Sequence, residues 1–316
     1  MDFTKRPVTT RWEYMLNSPL IINLAPTGAV SDHRKNPHVP ITPEAIVTDV
    51  VAAAQTGVSI AHLHVRNDDG TPSCDPRLFA GVIDTLREHR ETRNLVLCAT
   101  TSGRHGQTKE ERAEVLKLPM PSRPNMASLT LGSLNFVSGA SVNAPDTIRY
   151  LVDQMNLNEV KPELEVFDIG MIEFAKTLIV EGRLTPPYYF NLILGNIGAL
   201  QATVHHLGFA MSILPDHSII SVGGIGRYQA SANALGLAGA HGVRVGLEDN
   251  LWADWATKAP ASNRMLVKSI SNAAAALNRK ISSASETRAR LGIRLLPIGR
   301  TNGFLGTAEG GPKAQN

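Results

Sequence analysis

The chain reads as an α/β protein, a single-domain (β/α)8 TIM barrel, and three observations predict this. Short apolar, β-branched runs alternate with longer segments of helical period through the whole sequence. About eight such runs can be counted, the number that closes a parallel barrel. At 316 residues the chain has the length of one barrel with trimmings. A doubly wound open sheet is the alternative, but eight parallel strands with no internal break favour closure. The expected boundaries are an N-terminal arm over 1–18, a catalytic barrel over 19–300 and a flexible tail over 301–316.

The strands are expected in PLIINLA (19–25), VSIAHLHV (58–65), NLVLCAT (94–100), MASLTL (126–131), PELEVF (162–167), YFNLIL (189–194), SIISV (218–222) and HGVRVG (241–246). Between the first two, Thr42 suits an N-cap, Pro43 the first helical turn and Gly57 the left-handed residue after the helix. Ile46, Val50 and Ala53 then form its buried stripe. Asp75 and Pro76 repeat that start, and Phe79, Val82, Ile83 and Leu86 recur at helical spacing. The charged, Pro-rich stretch over 104–125 does not fit the repeat and reads as an enlarged connection beside the active face. The Gly-rich, aperiodic tail reads as loosely ordered or draped on a neighbouring subunit.

Composition removes several classes. Apolar residues make up 43% and charged residues 19%, the profile of a chain that buries a large core. The net charge is +3 with lysines and arginines scattered, so no nucleic acid is expected as partner. No apolar run approaches a membrane span and the start carries no apolar signal-peptide core, so a cytoplasmic protein without a membrane partner is expected. The two cysteines, Cys74 and Cys98, have no CxxC spacing and are expected to be structural.

Chemistry concentrates in the strand VSIAHLHVR. Side chains alternate along a strand, so Ile60, His62 and His64 share one face while Ala61, Leu63 and Val65 share the other, wholly apolar one that suits the helix layer. His62 and His64 then point into the barrel near the C-terminal end of their strand, where this fold keeps its catalytic groups. Two imidazoles about 7 Å apart along one face converge on a single ion. Packing alone would leave a polar nitrogen on each ring to satisfy, whereas one cation serves both. A carboxylate from another strand end is expected as third ligand, and Glu248 in HGVRVGLEDN is the best candidate because it shares parity with Arg244 and Gly246. The same segment also suits a polar turn before the next helix.

In SVGGIGRYQ a strand runs into Gly223, Gly224, Gly226 and Arg227, a junction that suits an anion, with backbone amides near Gly226 and a bidentate Arg227, or a close turn. Hydroxyl residues cluster in ATTSG (99–103) and ASLTLGS (127–133), where they suit a substrate carboxylate or simple turns.

NLAPTGA, ITPEAI, IAHLHVR, MASLTLGSLNF, KPELEVFDIGM, GGIGR, HGVRVGLEDN and ARLGI, in that order, resemble the β-keto acid cleavage enzymes nearly end to end. The resemblance implies a (β/α)8 barrel, a homotetramer, and Zn2+ or another divalent metal bound by His62, His64 and Glu248. It implies condensation of a β-keto acid with acetyl-CoA and cleavage to acetoacetate plus a new acyl-CoA, by Claisen and retro-Claisen steps through a metal-stabilised enolate. It further implies that Asp249 is the acid/base with Arg244 beside it, and that Thr100 and Ser128 or Thr130 hold the keto acid's carboxylate.

One position departs from the family. Where a member acting on an amino-substituted keto acid ends its PTGA motif in Glu, this chain has Val30. A buried ammonium facing valine would lose its counterion, so the expected substrate is an uncharged or differently charged β-keto acid. His33 and Arg34 follow shortly and would favour an anionic end if they face the site.

Two other classes compete. A metal-dependent hydrolase or lyase on the same barrel would carry its HxH on the first strand with further histidines at later strand ends, whereas His205 and His206 lie in a helical stretch. A noncatalytic anion- or CoA-binding barrel would leave the histidine pair as packing.

Overall fold

A computed structural model describes Met15, residues 17–104 and residues 106–294. Most of the expected N-terminal arm and all of the 301–316 tail lie outside the described residues. Eight strands, β1 (Ile21–Leu24), β2 (Ile60–Leu63), β3 (Val96–Ala99), β4 (Met126–Thr130), β5 (Lys161–Val166), β6 (Tyr188–Leu194), β7 (Ser218–Gly224) and β8 (Gly242–Val245), form one closed parallel barrel in sequence order. Closure sets Ile21 opposite Gly242 and Asn23 opposite Arg244. The open-sheet alternative is thereby excluded; every strand overlaps the run expected of it, with β5 and β6 starting one residue earlier and β7 running on to Gly224.

The helices cover the outside. In α1 (Pro43–Ala54), Thr42 caps Ala45 N–H at 3.2 Å and Ile46, Val47, Val50 and Ala53 are buried. In α2 (Pro76–Glu88), Asp75 caps Arg77 N–H, and Phe79, Val82, Ile83 and Leu86 are buried. These stripes pack with Ala61, Leu63 and Val65, the outward set of the HxH strand, in one continuous core between helices and barrel. The 104–125 stretch is more ordered than its composition suggests. It carries a short helix, α3 (Lys109–Ala113), started by a reciprocal capping box between Thr108 and Glu111. Three small hairpins, over 65–73, 134–141 and 252–260, rise from the C-terminal ends of β2, β4 and β8.

The N-terminal end of the barrel is sealed. Ile21, Ile60, Val96, Met126 and Tyr189 fill its interior, and Leu291 of α9 (Ala284–Leu291) enters from below. Arg288 of the same helix donates to the carbonyls of Asn94 and Leu95 and to Asn125 Oδ1, the segments that lead into β3 and β4. Chemistry is therefore confined to the opposite mouth. Among the described residues no helix is long and apolar enough to cross a membrane.

Candidate active site

The mouth encloses a chamber of about 380 Å³ lined by His62, His64, Thr100, Arg104, Thr130, Glu165, Arg244, Glu248 and Asp249 among others. His62 is the third residue of β2 and His64 stands just past its end, both inward and buried. Their rings lie 5.3 Å apart, tilted by 44°. Glu248 Oε1 is 3.4 Å from His64 Nε2, and Glu248 Oε2 is 3.7 Å from His62 Nε2.

Glu248 arrives by a route that strand parity does not describe. β8 stops at Val245, and Gly246 turns the chain at φ 153° with its Cα against the Ala25 backbone, where no Cβ fits. The amides of Asp249 and Asn250 then close a tight turn on the Gly246 carbonyl, while Glu248 N–H donates to Ala25 at 3.1 Å. The PTGA loop after β1 braces this turn. Gly28 lies so close to Glu248 that a side chain there would overlap it, and Ser31 Oγ donates to the Leu247 carbonyl. Arg66 fastens the loop in turn, donating to the carbonyls of Gly28 and Ser31.

His62, His64 and Glu248 form a cluster whose donor atoms all lie within 4.8 Å of one another. Glu248 Oε2 is buried without a hydrogen-bond partner and faces an imidazole nitrogen. An orphaned carboxylate oxygen beside two imidazoles is the donor set of a divalent cation, so these residues fit one. Glu163, from β5, meets His62 on its far side. It accepts from His62 Nδ1 at 2.6 Å, from Asn23 Nδ2 at 2.6 Å, from Asn191 Nδ2 at 3.2 Å and from the Cys98 thiol at 3.2 Å. With Nδ1 committed to Glu163, Nε2 is the nitrogen left to face Glu248. Burial disfavours a charged His62, but Glu163 and Glu248 outweigh it and push its pKa up to about 9. Burial also raises the Cys98 thiol, which stays protonated and serves as a hydrogen-bond donor to Glu163 as well as packing.

Arg244 ties the remaining carboxylates together. Its Nε and Nη2 meet Asp249 at 2.8 and 3.2 Å, Nη2 meets Glu248 at 2.7 Å and Nη1 meets Glu165 at 3.2 Å. Burial raises the Asp249 carboxyl above its ordinary value while Arg244 pulls it down; in Glu248, Arg244 and the histidines overcome burial and hold the carboxyl low.

The other expected residues are placed differently. Thr130 lines the chamber and donates to Glu165 at 2.7 Å, and Thr100 lines it too. Ser128, two residues deeper in β4, accepts from Thr101 N–H and lies off the chamber. The GGIG junction does not present a free cradle. Ile225 N–H donates to Leu194, Gly226 N–H donates to the Asp249 carbonyl at 2.7 Å, and Arg227 reaches the Tyr228 hydroxyl at the exterior. Its glycines stitch β7 to β6 and to the Glu248 turn. His33 and Arg34 line a separate outer hollow, with Arg34 paired to Asp32. His205 and His206 sit exposed in the first turn of α6 (Val204–Ser212) and do not line the chamber.

Glu163 and Glu165 were not singled out from sequence, although KPELEV holds the signal: two carboxylates of one parity alternating with Leu164 and Val166 on a barrel strand. Arg104, from the loop after β3, also lines the chamber, and no strand or helix period points it there.

Fold and site together define a (β/α)8 barrel of the metal-binding type with its reactive groups at the C-terminal mouth. The chain belongs to the beta-keto acid cleavage enzyme family, whose sequence profile matches residues 19–293. It is 36% identical over 275 residues to a 3-keto-5-aminohexanoate cleavage enzyme of Acetoanaerobium sticklandii, covering 87% of this chain and 98% of that one. It is 35% identical over 287 residues to a 3-oxoadipate:acetyl-CoA acetyltransferase of Cupriavidus necator, covering 90% and 98%. In fold it is similar to ObcA, solved as a ternary complex with a C4-CoA adduct and oxalate, with a TM-score of 0.68 at 21% identity over 81% of this chain and 68% of that one.

Proposed function

We propose that the chain, through its 19–300 domain, condenses a β-keto acid with acetyl-CoA and releases acetoacetate and a new acyl-CoA. The observation that carries this reading is the His62–His64–Glu248 cluster with its orphaned Glu248 Oε2, set beside a carboxylate, Asp249, that a buried arginine holds in the same chamber. His62, His64 and Glu248 would hold a divalent cation, Zn2+ in this proposal, which would supply Lewis acidity toward the keto oxygen. Asp249 is the acid/base: it takes a proton from the carbon between keto group and carboxylate, and that carbon attacks the acetyl carbonyl, releasing CoA. CoA then adds to the original keto carbon, and the bond to the central carbon breaks, giving the acyl-CoA and acetoacetate. Arg244 keeps Asp249 oriented through two hydrogen bonds. Thr130 and Thr100 are the hydroxyls that line the chamber and suit the substrate carboxylate, which favours Thr130 over Ser128.

Val30 lines the chamber half-exposed, and the lining carboxylates are engaged by Arg244, so an ammonium on the substrate would find no free counterion. The proposal includes a cytoplasmic homotetramer, whose copy number light scattering would count. The test follows acetoacetate from acetyl-CoA and a chemically diverse set of β-keto acids. His62→Ala should lose metal and turnover together, and Asp249→Asn should keep metal and lose turnover. No turnover of any keto acid by metal-loaded protein overturns the assignment.

A further inference from the structure

Resting on that reading, we infer that Arg104 makes this chamber a site for β-keto acids whose far end is anionic, that is, β-keto dicarboxylates. Arg104 leaves the loop after β3 and reaches into the chamber. It stacks on the Phe136 ring at 3.8 Å, and Phe136 is itself wedged edge-on against Phe167 at 5.6 Å. One Nη2 donor bonds to Ser138 Oγ at 3.2 Å. The guanidinium is thus fixed in place by the 134–141 hairpin, with donors to spare.

What distinguishes Arg104 is its missing counterion. Arg244, the other arginine of the chamber, meets three carboxylates. Among the described residues Arg104 has no carboxylate partner at all; Glu248 acts on it only at a distance, and partial burial draws its pKa down. A half-buried cation held in place without a counter-charge is costly unless a ligand supplies one, and a planar guanidinium recognises a carboxylate best. Two other anions compete for it. The phosphates of CoA lie beyond the pantetheine arm, and a chamber of about 380 Å³ admits the thioester end without the nucleotide. The carboxylate common to every β-keto acid is the group assigned to Thr100 and Thr130. The far carboxylate remains, and Val30 on the same wall leaves it unopposed.

The test compares 3-oxohexanedioate with 3-oxohexanoate, which carries a methyl group in place of the far carboxylate, at saturating acetyl-CoA, in wild type, Arg104→Gln and Arg104→Lys. The wild type is expected to prefer the dicarboxylate, Arg104→Gln to lose roughly 30-fold of that preference in kcat/KM, and Arg104→Lys to restore part of it. Equal use of the two acids by wild type overturns the inference while leaving the proposed reaction standing. An equal loss on both acids in Arg104→Gln, or a rise in KM for acetyl-CoA alone, also overturns it, because Arg104 would then grip the common carboxylate or the CoA. If neither acid is turned over by metal-loaded wild type, and no other keto acid is, the proposed reaction itself fails.

Discussion

Gly28→Ala places a single methyl group against the carboxylate that completes the His62–His64 cluster. The Gly28 backbone has an ordinary φ, so the variant carries no conformational penalty of its own and its effect is steric. The added Cβ would stand 3.1 Å from Glu248 Cδ and 3.2 Å from its Cβ, and closer still to Cγ. Carbon atoms pack best at about 3.5–4.0 Å, so Glu248 must retreat by on the order of 1 Å. The Gly28 loop has little freedom to yield instead, because Arg66 and Ser31 tie it to its neighbours. A misplacement of that size costs on the order of 100-fold in rate. Metal content by mass spectrometry, affinity by chelator competition and acetoacetate release should therefore fall together while the circular dichroism spectrum is unchanged. Gly81→Ala is the control: it lies in α2 with nothing within 4 Å of its added Cβ, and should leave all three readouts alone. Full metal and full turnover in Gly28→Ala would refute the steric argument and the ligand role of Glu248 with it.

Glu163→Gln should lower metal affinity about 10- to 100-fold, because an amide nitrogen facing His62 Nδ1 no longer fixes the tautomer that bares Nε2; chelator competition within twofold of wild type would contradict this. Asp49 of α1 accepts from Asn263 Nδ2 at 2.6 Å, yet burial pushes its pKa from 3.8 up to about 6. The folded carboxyl keeps its proton to higher pH than the unfolded one, so stability falls as pH rises through that window, by at most about 3 kcal/mol. Asp49→Asn, which still offers Asn263 an oxygen, should remove that slope, and urea midpoints at pH 4 and pH 8 that move in parallel with wild type would count against it.

Legibility tracked how local the determining physics is. Strands were legible because β-branched runs such as SIISV cannot hide their period, and the inward direction of His62 and His64 follows from alternation alone. Strand parity does not account for the position of Glu248: it ends at Val245, and a glycine turn braced by a loop over two hundred residues earlier delivers the carboxylate. Glu163 and Glu165 obey the same alternation as the histidines, but KPELEV has no paired-imidazole pattern to mark its carboxylates as more than strand residues. Ser128 and Thr130 share parity, so only depth in the barrel separates them. At GGIG the Ile225 and Gly226 amides go to the carbonyls of Leu194 and Asp249, partners distant in sequence that no local pattern announces. Arg104 projects from a loop, and no period fixes where a loop side chain aims.

The seal at the N-terminal end also sets an order of events during synthesis. β1 leaves the ribosome roughly two hundred residues before β8, the strand it must pair with, an interval of some ten to forty seconds at about 5–20 residues per second. Throughout it, the Ile21–Leu24 edge has at most one neighbour, and the interior stays wet until Leu291 and Arg288 arrive from below. His62 and His64 are made early in the same interval, whereas Glu248 comes with the turn that shuts the wall. A nascent chain therefore has half a cation site for as long as it has half a barrel, and the two are completed by the same few residues.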